Sequence, residues 1–396
     1  VIAWWSAAAF AADLVVRGGT VLPVSGPPIA DGAVLVRDGR IVAVGPASSI
    51  PVPAGAEVIS GAFVLPGLVD AFGTVGLTGE LNQPFDQDHA ETSDTVWPAL
   101  RVLDAWDPGD PLVTWVRERG VTTVMASPSP GMPVGARSLV VQTLPGSTDV
   151  AALVPDAMVV FSLGQSTEKR FPTRVATRMG TAATIRQALA DAVEAQKRRG
   201  LPLGDRPSRD LGDEALVELL EGRRTAVFVA DKVPDLLTAL RIADEFDLHI
   251  VLAGAAEAWR IPDVIEAAGV PVILGPTMAR SYSDPEGHDR SFANAAVLAD
   301  AGVPIAFSSG FEDYVPKVRV VLYEAAVAAA NGLGSDRAIQ ALTLGAARIL
   351  GIEGTTGSLE PGKSADLVVF DGDPFEYTSH VCSVIVRGTV QSRTCF

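Results

Sequence analysis

From Thr181 onward the chain alternates short apolar runs with amphipathic segments, and this alternation narrows the folds open to it. Thr181–Arg199 carries apolar residues at helical spacing, with Thr181 as the expected cap. The runs Ala226–Ala230, His249–Ala253, Val270–Leu274 and Val303–Ser308 read as buried strands. Between and after them, Val233–Phe246, Ala256–Ala268, Ser291–Ala301, Val315–Ala330 and Asp336–Leu350 read as helices. A parallel strand pair needs a crossover long enough to hold a helix, so this pattern spells βα units. Their number predicts an α/β chain with a closed (β/α)8 TIM-like barrel over residues 63–354.

The ends of the chain follow a different rule. Asp13–Arg17, Ala33–Arg37 and Arg40–Val44 are strand-like, with Asp38-Gly39 as a tight hairpin turn between the last two. Gly357–Phe370 returns to strand character, and Ser383–Arg387 and Val390–Thr394 flank a turn expected at Gly388-Thr389. Residues 12–62 together with 355–396 are therefore expected to build a small β-sandwich from both termini. Counting outward from that turn sets Cys382 opposite Cys395, the only two cysteines. A disulfide between them is expected, the alternative being two buried thiols.

The segment Val1–Ala11 is apolar and ends Ala9-Phe10-Ala11. It resembles the end of a secretory signal, the alternative being an ordinary helix. With the cysteine pair it favours a periplasmic or secreted protein. No later run is apolar and long enough to span a bilayer, so no membrane span is expected in the mature chain. The formal charge of −16 has no basic run to offset it, which disfavours nucleic acid and anionic membrane surfaces as partners.

The segment Gly61–Gly76 joins the two patterns: an apolar run crosses Pro66-Gly67 and ends at Asp70. It reads as a strand delivering its C-terminal end to a site. Past it, Asp86, Asp88, His89, Glu91 and Asp94 lie close together and read as a solvated loop. Of the four histidines, His249 and His380 read as structural, while His89 and His288 fall in loops. No nucleophile elbow, P-loop or Cys–His pair is present.

At this point the sequence resembles the amidohydrolase superfamily, in its imidazolonepropionase-like branch. The resemblance rests on Leu65-Pro-Gly-Leu-Val-Asp70, Gly120-Val-Thr-Thr-Val124, Thr177-Arg-Met-Gly180, Leu240–Phe246, Gly269–Pro276, Leu342–Gly351 and Gly357–Pro374. It implies a mono- or dinuclear metal site at the strand ends, with zinc or another divalent ion activating a water. It also implies where the ligands should stand. The paired histidines fall on Phe72 and Thr74, the later ones on Val229 and Gly254, and the aspartate on Gly310. The fourth-strand region at Val159-Val160-Phe161 offers no Lys or Glu. None of these is a metal ligand, so no metal cofactor is expected, and Glu312 and Asp313 are left as weak catalytic candidates.

Two functions follow. One is a binding or scaffold protein, a pseudoenzyme whose mouth is lined by Phe72, Thr74, Val229, Gly254 and Gly310, taking a small apolar ligand or a protein partner such as an active paralogue. The other is an active hydrolase of carbon–nitrogen bonds with a non-standard or metal-free site.

Overall fold

A computed structural model describes residues 13–81, 83–202, 208–278, 289–310 and 321–395. The expectations placed on Val1–Ala11, His288, Glu312 and Asp313 lie outside the described residues. The strands, in chain order, are β1 (Leu14–Val21), β2 (Ile29–Arg37), β3 (Arg40–Pro46), β4 (Glu57–Pro66), β5 (Leu68–Gly73), β6 (Val121–Ala126), β7 (Val134–Arg137), β8 (Leu139–Gln142) and β9 (Ala152–Val154). They continue with β10 (Met158–Ser162), β11 (Thr225–Ala230), β12 (Ile250–Gly254), β13 (Val272–Leu274), β14 (Ile305–Phe307), β15 (Leu367–Phe370), β16 (Val381–Val386) and β17 (Thr389–Ser392). The chain divides into two compact units, one of residues 13–68, 117–122 and 352–395, the other of 69–116 and 123–351.

The first unit holds one seven-stranded sheet in the order β17-β16-β15-β4-β1-β2-β3. Strands from both ends of the chain meet at β15 and β4, antiparallel from Leu367↔Pro66 to Phe370↔Phe63. Alternate residues serve opposite faces. Leu14, Val16, Val34, Val36, Val64, Leu367 and Ile385 form one apolar cluster, and Val15, Ala33 and Leu35 form another. Both faces are thus covered, while the hydrogen bonds run through all seven strands as a single sheet.

Two hairpin turns meet in this unit. Asp38 and Gly39 have φ of 50° and 75°, the left-handed pair that a two-residue turn demands. The later turn differs from expectation: it sits at Arg387-Gly388, with φ of 49° and 71°, and Thr389 already belongs to β17. The buried Asp366 carboxylate accepts the Arg387 N–H at 2.9 Å, and Gly388 N–H bonds Ala365 O, which fixes the turn one residue early. A Cβ at Gly388 would lie 2.7 Å from the Gly39 Cα. Gly388→Ala should therefore cost about 1–3 kcal/mol, from the left-handed backbone and the collision together. Urea midpoints of the two proteins measure it, and an unchanged midpoint would refute the tight apposition. Cys382 and Cys395 are joined by a disulfide beyond this hairpin.

The second unit contains a six-stranded sheet, β14-β13-β12-β11-β10-β7, and a four-stranded sheet, β5-β6-β8-β9. From β10 to β14 every pairing is parallel, and β7 adds antiparallel to β10. Among the described residues the two sheets are bridged where Gly73 pairs in parallel with Gly310. Both sheets are mixed in composition or direction, so the described strands define an α/β fold and not a uniform eight-stranded parallel ring. Phe161 and Phe228 stack between β10 and β11 with ring centres 4.7 Å apart, both fully buried. No helix among the described residues is long and apolar enough to cross a membrane.

Helices follow the parallel strands, with instructive departures. Val233–Phe246 is helical over the expected range, with Pro234 in its first turn and Asp247 ending it in the left-handed conformation. The helix expected from Thr181 starts at Arg178, because the Thr177 side chain accepts from Gly180 N–H; Thr181 is buried one turn on. The expected Ala256–Ala268 helix is a 3-10 turn at Ala258–Arg260 and a short helix from Pro262, which cannot donate to a preceding turn. The expected Asp336–Leu350 helix breaks at Thr343, whose hydroxyl turns back to Ile339 O at 2.6 Å. A helix at Leu211–Leu220, capped by Asp210, was not expected.

Candidate functional site

Parallel pairing brings the C-terminal ends of β10 to β14 to one end of their sheet, and the Gly73–Gly310 bridge adds the end of β5. Asp70 lies inside that last strand. It is 3% exposed, and its carboxylate accepts Ser309 N–H at 3.0 Å, the Ser309 hydroxyl, and Phe72 N–H at 3.4 Å. Burial pushes its pKa up to about 6; the Ser309 and Phe72 hydrogen bonds pull the other way, and the nearby Glu324 carboxylate adds to the rise. Glu324 sits on the apolar helix Val321–Ala328 and is fully buried. One of its oxygens accepts Thr277 N–H at 2.6 Å, the Thr277 hydroxyl at 2.7 Å and Met278 N–H at 3.3 Å. Two buried carboxylates thus brace the ends of β5, β13 and β14.

The ends of β11 and β12 carry ion pairs instead. Lys232 Nζ lies 2.9 Å from Glu257 and 3.7 Å from Asp289. Glu257 also accepts Val233 N–H at 2.9 Å, and Arg260 lies 3.3 Å from Asp289 while covering the Trp259 ring. Asp231 accepts Ala256 N–H at 3.2 Å and faces Arg290 at 3.7 Å. Below them Arg178 holds the buried Asp235 through two bonds of 3.0 and 2.9 Å; burial raises the Asp235 pKa and Arg178 opposes it. The sequence signal for this network was the string of charges in Val229-Ala-Asp-Lys232 and at Glu257. For Glu324 it was a single acid on an otherwise apolar helix.

The five residues at which the resemblance would lead one to expect metal ligands, Phe72, Thr74, Val229, Gly254 and Gly310, all fall at these strand ends. Phe72 is 2% exposed and Val229 8%, while the buried Thr74 hydroxyl is engaged with Thr78. Gly254 has φ of 80°, and a Cβ there would lie 2.8 Å from Asp231 Oδ1. Gly310 has φ of 71°, and a Cβ there would lie 2.5 Å from Pro276 Cγ. Phenyl, isopropyl and glycine offer no donor and the Thr74 hydroxyl is a single neutral oxygen shared with Thr78, so these five residues do not fit a divalent metal. The acidic loop is used locally. Asp86 closes its own turn with Leu81 and Gln83 N–H, Glu91 accepts Thr92 and Ser93 N–H, and Asp94 pairs with Arg174. His89 is buried and its carbonyl accepts Ser129 N–H at 2.9 Å. His249 is exposed and His380 contacts Asp371 at 3.0 Å. A cleft of about 300 Å³ is lined by Leu333, Gly334, Ser335, Asp336 and Arg337, none of them at a strand end.

Fold and strand-end geometry define the class, an α/β protein with its site region at the C-terminal ends of parallel strands. Comparison with known proteins supplies the family. Residues 236–392 match the model of the amidohydrolase family, and residues 32–51 that of the bacterial imidazolonepropionase-like composite domain. The solved structure of an amidohydrolase from Thermotoga maritima is similar over 96% of this chain and 100% of its own, at 31% identity and a TM-score of 0.89. The amidohydrolase tasK of Hapsidospora irregularis is 25% identical over 91% of this chain, which spans 40% of that protein's length. A 5-methylthioadenosine/S-adenosylhomocysteine deaminase of Symbiobacterium thermophilum is 25% identical over 91% of this chain and 85% of its own. The chain belongs to the amidohydrolase superfamily, a family of typically metal-dependent hydrolases acting on carbon–nitrogen bonds.

Proposed function

We propose that this chain is a non-catalytic member of its superfamily, a binding or scaffold protein built on a (β/α)8 barrel. One observation carries the reading: the five ligand positions are Phe72, Thr74, Val229, Gly254 and Gly310, and the two glycines are closed to side chains by Asp231 and Pro276. The parallel run β10–β14 and its bridge to β5 through Gly73 support the barrel. The ligand is a small apolar molecule or a segment of a protein partner, for which an active paralogue is the natural candidate. The disulfide supports a periplasmic or secreted location.

The test is elemental analysis of protein purified without chelator and without reductant, so that the Cys382–Cys395 bond stays intact. Zinc, iron and manganese should each fall far below one per chain, with no turnover of dipeptides or cyclic amides. Stoichiometric metal would overturn the reading.

A second reading has its own observation. Asp70 is a carboxylate raised to about 6 that holds a serine hydroxyl, the pairing of a base with a polar group near neutral pH. On this reading carbon–nitrogen bond hydrolysis persists without the family's metals. Any turnover would then disappear in Asp70→Asn, whereas a contaminating hydrolase would be indifferent to it.

A further inference from the structure

Within the first unit, the described residues bring three metal-ligating groups together at the C-terminal hairpin. The sulfurs of Cys382 and Cys395 and a carboxylate oxygen of Asp371 all lie within 4.8 Å of one another. They come from three places in the sheet: Asp371 follows β15, Cys382 lies on β16, and Cys395 follows β17. β15 and β16 are paired up to Phe370↔Val381, so the register carries Asp371 to His380, and Cys382 is the extra residue of a bulge between Ser383 and Val381. The carboxylate is fixed from behind: His380 N–H donates to Oδ1 at 2.6 Å, and the His380 ring stands 3.0 Å from Oδ2. Carboxylate ligands in metal sites are themselves held by hydrogen bonds from outside.

A disulfide is neutral and has no use for an oriented carboxylate. Opening it changes the electrostatics. Reduction leaves two thiols beside Asp371; their thiolates would repel the carboxylate and one another, so they form only when a cation sits among them. Two sulfurs and one carboxylate oxygen are a donor set that zinc accepts, with a fourth position left for water.

We propose that the Cys382–Cys395 disulfide and a Zn²⁺ site are two alternative states of this one centre, exchanged by reduction. A dithiol reductant supplies two electrons and two protons, breaks the S–S bond and is itself oxidised to a disulfide. The two protein thiols then take up one Zn²⁺ together with Asp371 and release their two protons. His380 is a positioning residue that keeps the carboxylate turned toward the sulfurs. The site is partly exposed and belongs to the terminal sheet, so it is independent of the strand ends discussed above.

The experiment uses the full chain, oxidised and reduced, with Co²⁺ as the spectroscopic probe and Zn²⁺ as competitor. A phosphine serves as reductant; it becomes the phosphine oxide with oxygen from water, and it is removed before titration. The oxidised chain should give no sulfur-to-Co²⁺ charge-transfer band. The reduced chain should bind one Co²⁺ with that band and lose it to one equivalent of Zn²⁺. Asp371→Asn should weaken zinc at least about tenfold, and His380→Ala by less. Cys395→Ser, which leaves Asp371 in place, should lose most of the band and serves if Asp371→Asn does not fold. A reduced chain without the band, or Asp371→Asn with unchanged affinity, overturns the proposal. Metal on the oxidised chain would instead count against the non-catalytic reading, so the two cannot be confused.

Discussion

Gly310→Asp is expected to lower stability by about 2–4 kcal/mol and to bring no metal with it. The left-handed backbone at φ 71° costs about 1 kcal/mol or more for a residue with a Cβ, and forcing an extra group into packed space costs about 1–3 more. The obstacle is specific: Pro276 Cγ and Cδ lie 2.5 and 2.8 Å from where the Cβ would be. Pro276→Ala removes both atoms, so the double variant should recover part of the loss. The interaction energy in the double-mutant cycle should be at least about 1 kcal/mol. Urea denaturation of the four proteins gives the cycle, and strict additivity would show that Pro276 is not the obstacle. Gly254→His faces the same two problems, a left-handed backbone and a Cβ 2.8 Å from Asp231. Placing a ligand side chain at either glycine therefore asks for new backbone at that strand end as well as a new side chain.

Lowering the pH from 8 to about 5 should stabilise the protein, and Asp70→Asn should abolish much of that gain. Asp70 has a folded pKa of about 6 against an ordinary 3.8. Between those values the folded chain binds more protons than the unfolded one, so stability falls as pH rises. The contribution is fully present below about 4 and is gone above about 6 to 7. Its ceiling, from a shift of about two pH units at 1.36 kcal/mol each, is about 3 kcal/mol. Asp110 is also raised to about 6, by burial first and by the Asp107, Asp86 and Glu80 charges next, and works in the same direction. Carboxylates held low by cationic partners, such as Asp13 by Arg37 and Glu245 by Arg186, act oppositely, and their contribution is lost as pH falls through the ordinary carboxylate range. A stability maximum near pH 5 is the expected sum. Denaturant midpoints of wild type and Asp70→Asn at pH 5 and 8 decide the matter. Parallel pH curves for the two proteins would remove Asp70 from the account.

Much of the fold was legible because periodicity and caps agree along the chain. Val233–Phe246 shows apolar spacing, a first-turn proline and a polar end, and its limits follow from those alone. Val121–Ala126 is a strand buried at every residue and reads as one. The misplaced elements trace to hydrogen bonding that the apolar pattern does not carry: a bond made elsewhere, or one that proline cannot make. Thr181 has the look of a cap, but its hydroxyl meets Thr167 at 2.9 Å inside the core, and Thr177 does the capping. Thr343 and Pro262 interrupt runs whose apolar pattern continues through them. Arg387 in a left-handed turn is set by the distant carboxylate of Asp366, which no short-range pattern contains.

At the candidate site, residue types were readable and space was not. That Phe72, Thr74, Val229, Gly254 and Gly310 are poor ligands needs only their identity. That Pro276 and Asp231 occupy the room beside the two glycines needs coordinates, since those neighbours come from adjacent loops. The burial of Asp70 and its bond to Ser309 join residues 239 positions apart. Glu324 could be suspected as a lone acid in an apolar helix, but its partners Thr277 and Met278 could not.

The terminal sheet has a consequence for the order in which the protein is made. Strands β1 to β4 emerge from the ribosome early, yet β4 finds its partner β15 only after some three hundred further residues, as the Arg40 bond to Gly362 O illustrates with a separation of 322. Until then one edge of β4, with Val64 and Leu65, is an unpaired apolar template of the kind other chains can add to. Contacts so distant in sequence close slowly. Truncated or stalled products lacking β15 to β17 should therefore be the species that aggregate or are held by chaperones, while released full-length chains cover that edge themselves.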